Sequence, residues 1–430
     1  MKLNQEEKEI LAGKQGETMA KIMKTIVDFG DVFGAKKLVP ITHASHFVTS
    51  FGLGLLKPLY RINEEIINAG IKTKQPFTID PRPIDYKNVK CGVLNKLIFS
   101  KIMYSQQKKY EEQLKQIGLK NKDSFTCTSY FEEVGNIPQK GDILGWAESS
   151  AVVYANSVLG ARCNRNSGVL DMFFAIAGKV PEFGLLTDEG RKADWVIEIA
   201  TKNLPEAQIL GSAIGLKVME DVPYVVGLDK FLGTELTDDV KSYLKDFGAA
   251  TASNGSVGLY HIDNLTPEAK EKGKKLIKPN AKVFKITDKV LEDVYKNYPV
   301  LWKDLNAKPK LCFVGCPHLS YAQLENWANN ILSNLEKNNL KKVCVRTILT
   351  TSPQIANKFR QTDLFKKLSK TGVKVSSICP LMYTNNPIAG KKPIITSSNK
   401  LRTYSSSRYY KDADILNIIT GGANNEKVYR

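Results

Sequence analysis

Apolar and polar residues alternate along the chain in a pattern that predicts helices and strands in turn. Apolar side chains recur at helical spacing over residues 6–29, and a short apolar run at 38–41 predicts a strand. From residue 282 the alternation becomes regular. The strands predicted there are 282–286, 310–314, 343–349, 373–378 and 393–395, and the helices between them are 288–298, 321–335 and 353–369. Strands separated by helices predict a parallel sheet with right-handed crossovers.

The chain before residue 282 carries the same kinds of element at less regular spacing. Helices are predicted at 59–69, 101–116 and 148–159, and strands at 223–226 and 257–261. We therefore expect an α/β fold with two regions, 1–280 and 281–404. The remaining residues, 405–430, are polar with weak periodicity, and we expect a tail that is partly disordered or binds a partner.

Composition narrows the class of protein. A chain of 430 residues is long enough for two or three domains. It has no apolar run long enough to span a bilayer, and its first residues lack the apolar stretch of a signal peptide. Its seven cysteines are an odd number and suit reduced thiols better than a disulfide framework. These features predict a cytoplasmic protein without a membrane partner.

The net charge of +18 raises the possibility of a nucleic-acid partner or of a small anionic substrate. The lysines, however, are scattered in isolated pairs along the chain, a distribution typical of solvated helix faces and turns. No zinc finger, basic zipper or RNA-recognition signature accompanies them. We therefore expect no nucleic-acid partner, and an anionic substrate remains open.

Three cysteines stand at positions that suit chemistry better than packing. Cys316 follows an apolar run and precedes a long amphipathic helix. Cys379 comes directly after the predicted strand 373–378. Each is followed by proline, and Cys127 lies in a polar segment. Ligands bind at the carboxyl ends of strands in open α/β sheets, so these thiols predict a metal or iron–sulfur site. The cysteines that fit a buried structural role instead are Cys91, Cys312 and Cys344.

Several motifs around these cysteines resemble those of the aconitase X family. They are LAGKQG at 11–16, TCT at 126–128, AESSAVVYANSVLGAR at 147–162, TPEA at 266–269 and GCPHLS at 315–320. The resemblance implies an aconitase-like multi-domain architecture, with parallel sheets flanked by helices and the active site at strand carboxyl ends. It also implies that Cys127, Cys316 and Cys379 hold an iron–sulfur cluster of the 4Fe–4S type. Cys163 stands where relatives have threonine and is not counted as a ligand.

The resemblance also implies roles for further residues. Among the four histidines, His46 and His318 match family motifs and are the candidates for acid–base catalysis, although a histidine that ties two loops together is an equal alternative. The residues that would line the substrate pocket are Thr49, Ser50, Asp80, Pro81, Glu148, Ser149, Ser398 and Lys400. Ser149 would equally serve as a helix N-cap, and Lys400 as an ordinary surface lysine.

The chain departs from the family pattern near this pocket. The departures are the Thr49-Ser50 loop, Asp80 for asparagine, Leu185 for histidine and Ser397 for asparagine. The cluster cysteines are retained, so a hydro-lyase is expected with more certainty than its substrate.

In this family the main catalytic base, a serine, lies on a separate small subunit or fused domain, which implies that this chain is one half of a heterodimer. The resemblance favours dehydration of mevalonate 5-phosphate to trans-anhydromevalonate 5-phosphate in archaeal isoprenoid synthesis. The alternatives are dehydration of cis-3-hydroxy-L-proline, or a cluster-binding paralogue without turnover.

Overall fold

The computed structural model describes residues 1–387 and 389–422. Its strands are β1 (Leu38–Pro40), β2 (His46–Phe47), β3 (Thr78–Ile79), β4 (Lys179–Pro181), β5 (Ala193–Ile199), β6 (Pro223–Val226), β7 (His261–Ile262), β8 (Ile277–Ile286), β9 (Leu311–Leu319), β10 (Thr347–Thr351), β11 (Lys374–Ser376), β12 (Ile394–Thr396) and β13 (Arg408–Tyr409).

The α-helices are α1 (Gln5–Leu11), α2 (Glu17–Val32), α3 (Lys57–Asn68), α4 (Val93–Leu97), α5 (Gln107–Ile117), α6 (Ser149–Tyr154), α7 (Leu170–Ala177), α8 (Ala207–Val218), α9 (Asp229–Leu232), α10 (Asp238–Gly255), α11 (Pro267–Lys272), α12 (Asp288–Lys296), α13 (Tyr321–Lys337), α14 (Pro353–Phe359), α15 (Asp363–Lys370), α16 (Pro380–Thr384), α17 (Asn399–Tyr404) and α18 (Asp412–Thr420). Two π-helical turns, Ile98–Met103 and Ala155–Leu159, continue α4 and α6. None of the helices in the described ranges is long and apolar enough to cross a membrane.

Two parallel sheets organise these elements. The larger has five strands in the order β11-β10-β9-β12-β13, and the other has four in the order β7-β6-β5-β8. Two small pairs lie in the N-terminal part, β1 with β4 antiparallel and β2 with β3 parallel. The prediction of an α/β fold with parallel sheets flanked by helices is confirmed.

Three stretches predicted as single helices are each divided in two. One of them, 101–116, covers the end of the π-helical turn Ile98–Met103 and then α5, with residues 104–106 between them. The region 6–29 breaks between α1 and α2, where Gly13 and Gly16 adopt left-handed φ angles of 83° and 91°. Such a backbone conformation ends a helix, and glycine adopts it without strain. The region 353–369 breaks where Thr362 leaves helical geometry and accepts a hydrogen bond from Phe365 N, which caps α15.

The segment predicted as a polar tail, 405–430, is folded over its first part. Strand β13 joins the edge of the five-stranded sheet, and α18 buries Ile415, Ile418 and Ile419 in the core. Isoleucines at this i, i+3, i+4 spacing line one helix face, a signal that the polar surroundings concealed. Residues 423–430 of the predicted tail lie outside the described residues.

Helix α10 lies at the centre of the molecule, against α8, α6 and α17. It approaches α8 closely because small residues face each other. A Cβ atom at Gly255 would collide with the carbonyl group of Gly215, and one at Gly211 with that of Phe247. Helices α6 and α17 also pack against α10, and both carry candidate site residues.

A buried ion pair fixes the edge of the four-stranded sheet. The Arg191 guanidinium donates to both carboxylate oxygens of Glu268, at 2.6 to 3.0 Å, and to the side-chain oxygen of Asn156 at 3.1 Å. His261 Nε2 lies 2.9 Å from the Arg191 carbonyl oxygen. The side chain of Arg191 is only 1% exposed, so its charge depends on Glu268.

Glu268→Ala should lower the free energy of unfolding by about 3 kcal/mol, because it leaves the Arg191 guanidinium buried without its counter-charge. Urea denaturation is the measurement. Glu271→Ala is the matched control, since Glu271 lies on the same helix and pairs with Lys140 at the surface. Equal stability of the two variants would contradict the role given to the buried pair.

Candidate active site

The three predicted thiol ligands come from three different segments of the chain. Cys127 follows Phe125, which bridges to Ile79 at the end of β3. Cys316 lies within β9, where the register with β10 shifts. Cys379 is the N-cap residue of α16, and its backbone N–H donates to the Arg82 carbonyl at 2.8 Å.

The bend at Cys316 depends on the glycine before it. Gly315 has a φ of 102°, and a Cβ atom there would collide with the Thr350 carbonyl oxygen. Glycine is therefore required for β9 to bend against β10 at this point. Ser398, the N-cap residue of α17, donates its hydroxyl to the Cys316 carbonyl oxygen and so holds this bend against α17.

His318 joins the segments that carry the thiols. Its Nδ1 lies 2.9 Å from Thr126 Oγ1, its Nε2 lies 3.2 Å from the Ile378 carbonyl oxygen, and its backbone N–H donates to Cys127 Sγ at 3.4 Å. Burial lowers the pKa of the imidazole to about 4. With both ring nitrogens occupied, the geometry of His318 fits the alternative of a loop-tying histidine better than that of a free base.

The three thiol groups share one electrostatic environment. Burial raises the pKa of each, to about 12 for Cys379. Cys316 interacts with both of the other thiols, and the carboxylates of Asp80 and Glu148 act on Cys127 and Cys316. Only groups close together couple in this way through the protein interior. Of the cysteines predicted to be buried, Cys312 is buried, Cys91 is half-buried and Cys344 is exposed, so the prediction is wrong for Cys344. Cys163 is also buried.

A buried ion pair adjoins the thiols. Lys400 Nζ donates to Glu148 Oε1, and Glu148 Oε2 accepts from Ser150 Oγ and Ala151 N at 2.6 Å each. Burial alone would raise the pKa of Glu148, but the Lys400 ammonium and these donors hold it at about 2. Burial opposes the charge of Lys400, yet Glu148 and Asp80 raise its pKa further. Both groups are therefore charged at neutral pH.

His46 and Asp80 present polar atoms without hydrogen-bond partners in the part of the chain that the structure describes. His46 Nδ1 lies 2.9 Å from Thr78 Oγ1, while His46 Nε2 and Asp80 Oδ1 face each other at 3.7 Å, too far for a hydrogen bond. Burial, and then the charge of Glu148, raise the pKa of Asp80 to about 6. Buried polar atoms are rarely unsatisfied, so this pair marks a place where a ligand would bind.

The two predicted substrate loops contact each other directly. Ser50 Oγ donates to the Pro81 carbonyl oxygen at 2.7 Å. The Thr49 carbonyl oxygen accepts from Tyr110 Oη at 2.7 Å, so α5 supports the loop from behind. The structure thus brings Thr49, Ser50, Asp80 and Pro81 into one wall.

Two predicted residues have other surroundings. The N-cap of α6 is Glu148, whose carboxylate accepts from Ala151 N, so the capping role considered for Ser149 falls to its neighbour. Leu185 lines a cavity of about 500 Å³ together with Phe33 and Arg165, and none of the three candidate cysteines lines it.

The sequence interpretation missed Lys245. This lysine is buried in α10, and its ammonium donates to the His318 carbonyl oxygen at 3.0 Å and lies 3.1 Å from Asp246. It therefore supports the backbone at His318. A lysine followed by a run of small residues in one helix, KDFGAATASNG at 245–255, was the available signal.

The residues fit an iron–sulfur cluster better than a single ion. Within residues 1–387 and 389–422, no three histidine, cysteine, aspartate or glutamate side chains are arranged to hold one metal ion. A single ion needs all its ligands at about 2.0 to 2.3 Å, whereas the thiolates of a cluster bind separate irons. Three thiols near one another, beside the unsatisfied polar atoms of His46 and Asp80, match the second arrangement in donor type.

Models of three aconitase X domains match the chain almost end to end. The first domain matches residues 1–189, the second 192–296 and the third 309–418. The chain belongs to the aconitase X family. The crystal structure of Thermococcus kodakaraensis aconitase X in its holo-form superposes with a TM-score of 0.79 at 27% identity, covering 98% of this chain and 99% of that one. The aconitase-like architecture expected from the motifs is confirmed.

Two relatives within the family differ in length. The phosphomevalonate dehydratase large subunit of Thermococcus kodakarensis is 30% identical over 416 residues, which is 95% of each chain. The cis-3-hydroxy-L-proline dehydratase of Hypocrea jecorina is 26% identical over 94% of this chain, but the match covers only 65% of that protein. About a third of the longer relative therefore has no counterpart in this aconitase X chain.

Asp171→Asn should remove a pH dependence of stability. Burial raises the pKa of Asp171 to about 7, although Val48 N and Met172 N donate to its carboxylate. The unfolded chain loses this proton near pH 4, so the folded protein holds one more proton between about pH 4 and about pH 7. Stability therefore falls as pH rises through this window.

Urea unfolding at several pH values in this window would measure the effect. The variant should lose a component of up to about 1.4 kcal/mol per pH unit from the slope of stability against pH. Asp28→Asn, on the exposed side of α2, is the control. The same slope in the parent and in Asp171→Asn would show that Asp171 does not hold the proton.

Proposed function

We propose that the chain is the large subunit of a phosphomevalonate dehydratase, a hydro-lyase that converts (R)-5-phosphomevalonate to trans-anhydromevalonate 5-phosphate. The observation that carries the proposal is the buried Lys400–Glu148 pair, because Glu148 caps the helix α6 and Lys400 follows Ser398, whose hydroxyl holds the Cys316 segment. A phosphorylated hydroxy acid has two anionic ends, and a buried cation at the site provides a counter-charge for one of them. The enzyme would act in the cytoplasm on this small anion, without a nucleic-acid or membrane partner.

The cofactor in this proposal is a 4Fe–4S cluster held by Cys127, Cys316 and Cys379. When bound, such a cluster has one iron without a cysteine ligand, and that iron supplies Lewis-acid chemistry to a substrate oxygen. The protein's contribution is a fixed set of thiols. His318 would be a positioning residue, because its ring joins the Cys127 and Cys379 segments.

Lys400 would bind a carboxylate or phosphate oxygen of the substrate. An ammonium group has three N–H donors, and among the described contacts of Lys400 only Glu148 takes one. Because Glu148 is itself held by Ser150 and Ala151, the ammonium cannot reorient freely. The wall formed by Ser50 and Pro81 would place the substrate against this cation.

His46 would donate a proton to the departing hydroxyl group. Its Nε2 has no hydrogen-bond partner among the described residues and lies 3.7 Å from Asp80 Oδ1. As the C–O bond breaks, the proton on Nε2 would leave with the hydroxide as water. The proton on the carbon next to the carboxylate would pass to a base on the small subunit, which completes the heterodimer.

A second candidate function is dehydration of cis-3-hydroxy-L-proline. The observation that favours it is Asp80, a buried carboxylate at a position where the family motif has asparagine, since a carboxylate attracts the positively charged ring nitrogen of an imino acid. Assays on both substrates, with chain and small subunit co-expressed without oxygen, separate the two reactions. Turnover of hydroxyproline alone would overturn the phosphomevalonate assignment.

Cys127→Ala, Cys316→Ala and Cys379→Ala should each remove the iron–sulfur chromophore and at least about 99% of dehydration, because each deletes one of three thiolate ligands. Iron and sulfide content and visible absorption are measured on anaerobically purified heterodimers. Cys312→Ala and Cys344→Ala are controls that should keep both cluster and activity. Full iron content in any of the first three variants would remove that cysteine from the ligand set.

Lys400→Met should abolish turnover and also lower the free energy of unfolding by about 3 kcal/mol, because Glu148 remains buried and charged without its partner. Adding Glu148→Gln removes the unpaired charge, so the double variant should regain most of the stability and none of the turnover. Urea denaturation and dehydration rates are compared across the cycle. Recovery of turnover in the double variant would contradict a substrate-binding role for Lys400.

A further inference from the structure

Five exposed apolar side chains lie together at the edge of the candidate active site. Gly54 N donates to the Met103 carbonyl oxygen at 2.9 Å, which brings the loop after the Thr49-Ser50 wall against the π-helical turn that follows α4. We call the exposed apolar residues of this loop, of α4 and of the π-helical turn the apolar patch: Leu55, Val93, Leu94, Leu97 and Ile102. Val93 is 88% exposed and Leu55 93%. A group of apolar side chains this exposed is unusual on a protein that works alone.

The apolar patch is joined to both sides of the thiol site. Tyr104 Oη, directly after the π-helical turn, donates to the Met382 carbonyl oxygen at 2.7 Å, and Met382 lies in the helix that Cys379 caps. Gln107 Nε2 donates to the Ser50 carbonyl oxygen at 3.0 Å. The element that carries the patch is therefore hydrogen-bonded both to the substrate loop and to the helix that Cys379 caps.

The surroundings of the apolar patch are strongly basic. Residues 86–110 contain six lysines and no aspartate or glutamate. Lys109 pairs with Glu64, and Lys96 lies over the ring of Tyr86 at 5.5 Å. Lys87, Lys90 and Lys101 are exposed. The complementary surface is an apolar face bordered by acidic side chains.

We infer that the apolar patch, with its lysine border, is the surface on which the small subunit docks. The inference rests on the heterodimer proposed above. The relative of near-equal length is named a large subunit, whereas about a third of the longer Hypocrea jecorina relative has no counterpart here. The patch is also continuous with the site that the small subunit would complete with its base. A partner docked there would lie on the element that supports the Ser50 loop and the helix that Cys379 caps.

The test is the affinity of the full chain for its cognate small subunit, measured by isothermal titration calorimetry. The variant Val93→Ser, Leu94→Ser, Ile102→Ser should raise Kd at least about tenfold, since central apolar contacts carry most of an interface's affinity. Val283→Ser with Leu301→Ser is the matched control, because these side chains are 62% and 64% exposed and lie in other parts of the fold. The control pair should leave Kd unchanged.

A second variant keeps the test valid if the serine variant fails to fold. Lys87→Glu with Lys101→Glu changes only exposed charges and should slow association at least about tenfold at low salt, with the difference shrinking at high salt. Unchanged Kd in the serine variant and unchanged association in the glutamate variant would overturn the inference. The patch substitutions could instead convert a homodimer of this chain into a monomer and leave its affinity for the small subunit unchanged. That result would also overturn the inference, because the patch would then join two copies of this chain.

Turnover of mevalonate 5-phosphate by the parent pair is measured on the same preparations. A parent chain that binds the small subunit tightly but dehydrates neither substrate would contradict the proposed function, while weakened binding by the patch variants would still support the docking surface. If the parent pair turns over substrate and the patch variants bind the small subunit as tightly as the parent chain does, only the docking surface is contradicted.

Discussion

One buried imidazole holds together the segments on which the candidate active site depends. His318 follows Cys316 by two residues, and its ring reaches Thr126, 192 residues away in the chain, and the carbonyl of Ile378, 60 residues away. Neither nitrogen can be released without leaving a buried polar group unpaired, which costs about 1 to 3 kcal/mol. Lys245 adds a donor to the carbonyl group of the same residue. One side chain thus positions three segments: β9, to which it belongs, the segment at Thr126 and the segment at Ile378.

The electrostatics of the site follow from the same enclosure. Burial disfavours the charged form of each thiol, and the carboxylates of Asp80 and Glu148 add to this effect. Lys400 is the opposing charge, and it is retained because Glu148 lies against it and is fixed by two further donors. The arrangement concentrates positive charge at one point of an otherwise acidic interior, which is a means of orienting an anionic ligand.

Much of this was predictable from sequence because its causes are local. Apolar periodicity indicated the parallel sheets, and the setting of Cys379 indicated a loop after a strand. Cys316, predicted just after a strand, lies within β9 instead, because the strand continues through the bend at Gly315 to Leu319. The division of the first helical region at Gly13 and Gly16 followed from backbone conformation, which periodicity does not report. The burial of α18 depended on a docking surface elsewhere in the chain.

The details of the site were less accessible to sequence. A histidine motif does not reveal whether the ring nitrogens are free, and His318 proves to be occupied on both sides while His46 is not. Glu148 and Ser149 are adjacent in sequence, and either could cap the helix. Glu148 forms the cap because the first helical residue is Ser149. Lys245 was missed because its partner is a backbone carbonyl group, which has no signature in the sequence.

The distances in sequence that His318 bridges also bear on how the protein is made. Contacts between residues so far apart raise the contact order of the fold, and such contacts form late because long loops must close first. During synthesis, Thr126 and Cys127 emerge long before β9, so Cys127 lacks both of its neighbouring thiols while the first region folds. The thiol site is therefore a property of the finished chain, and any cofactor would be inserted after translation rather than used as a nucleus for folding.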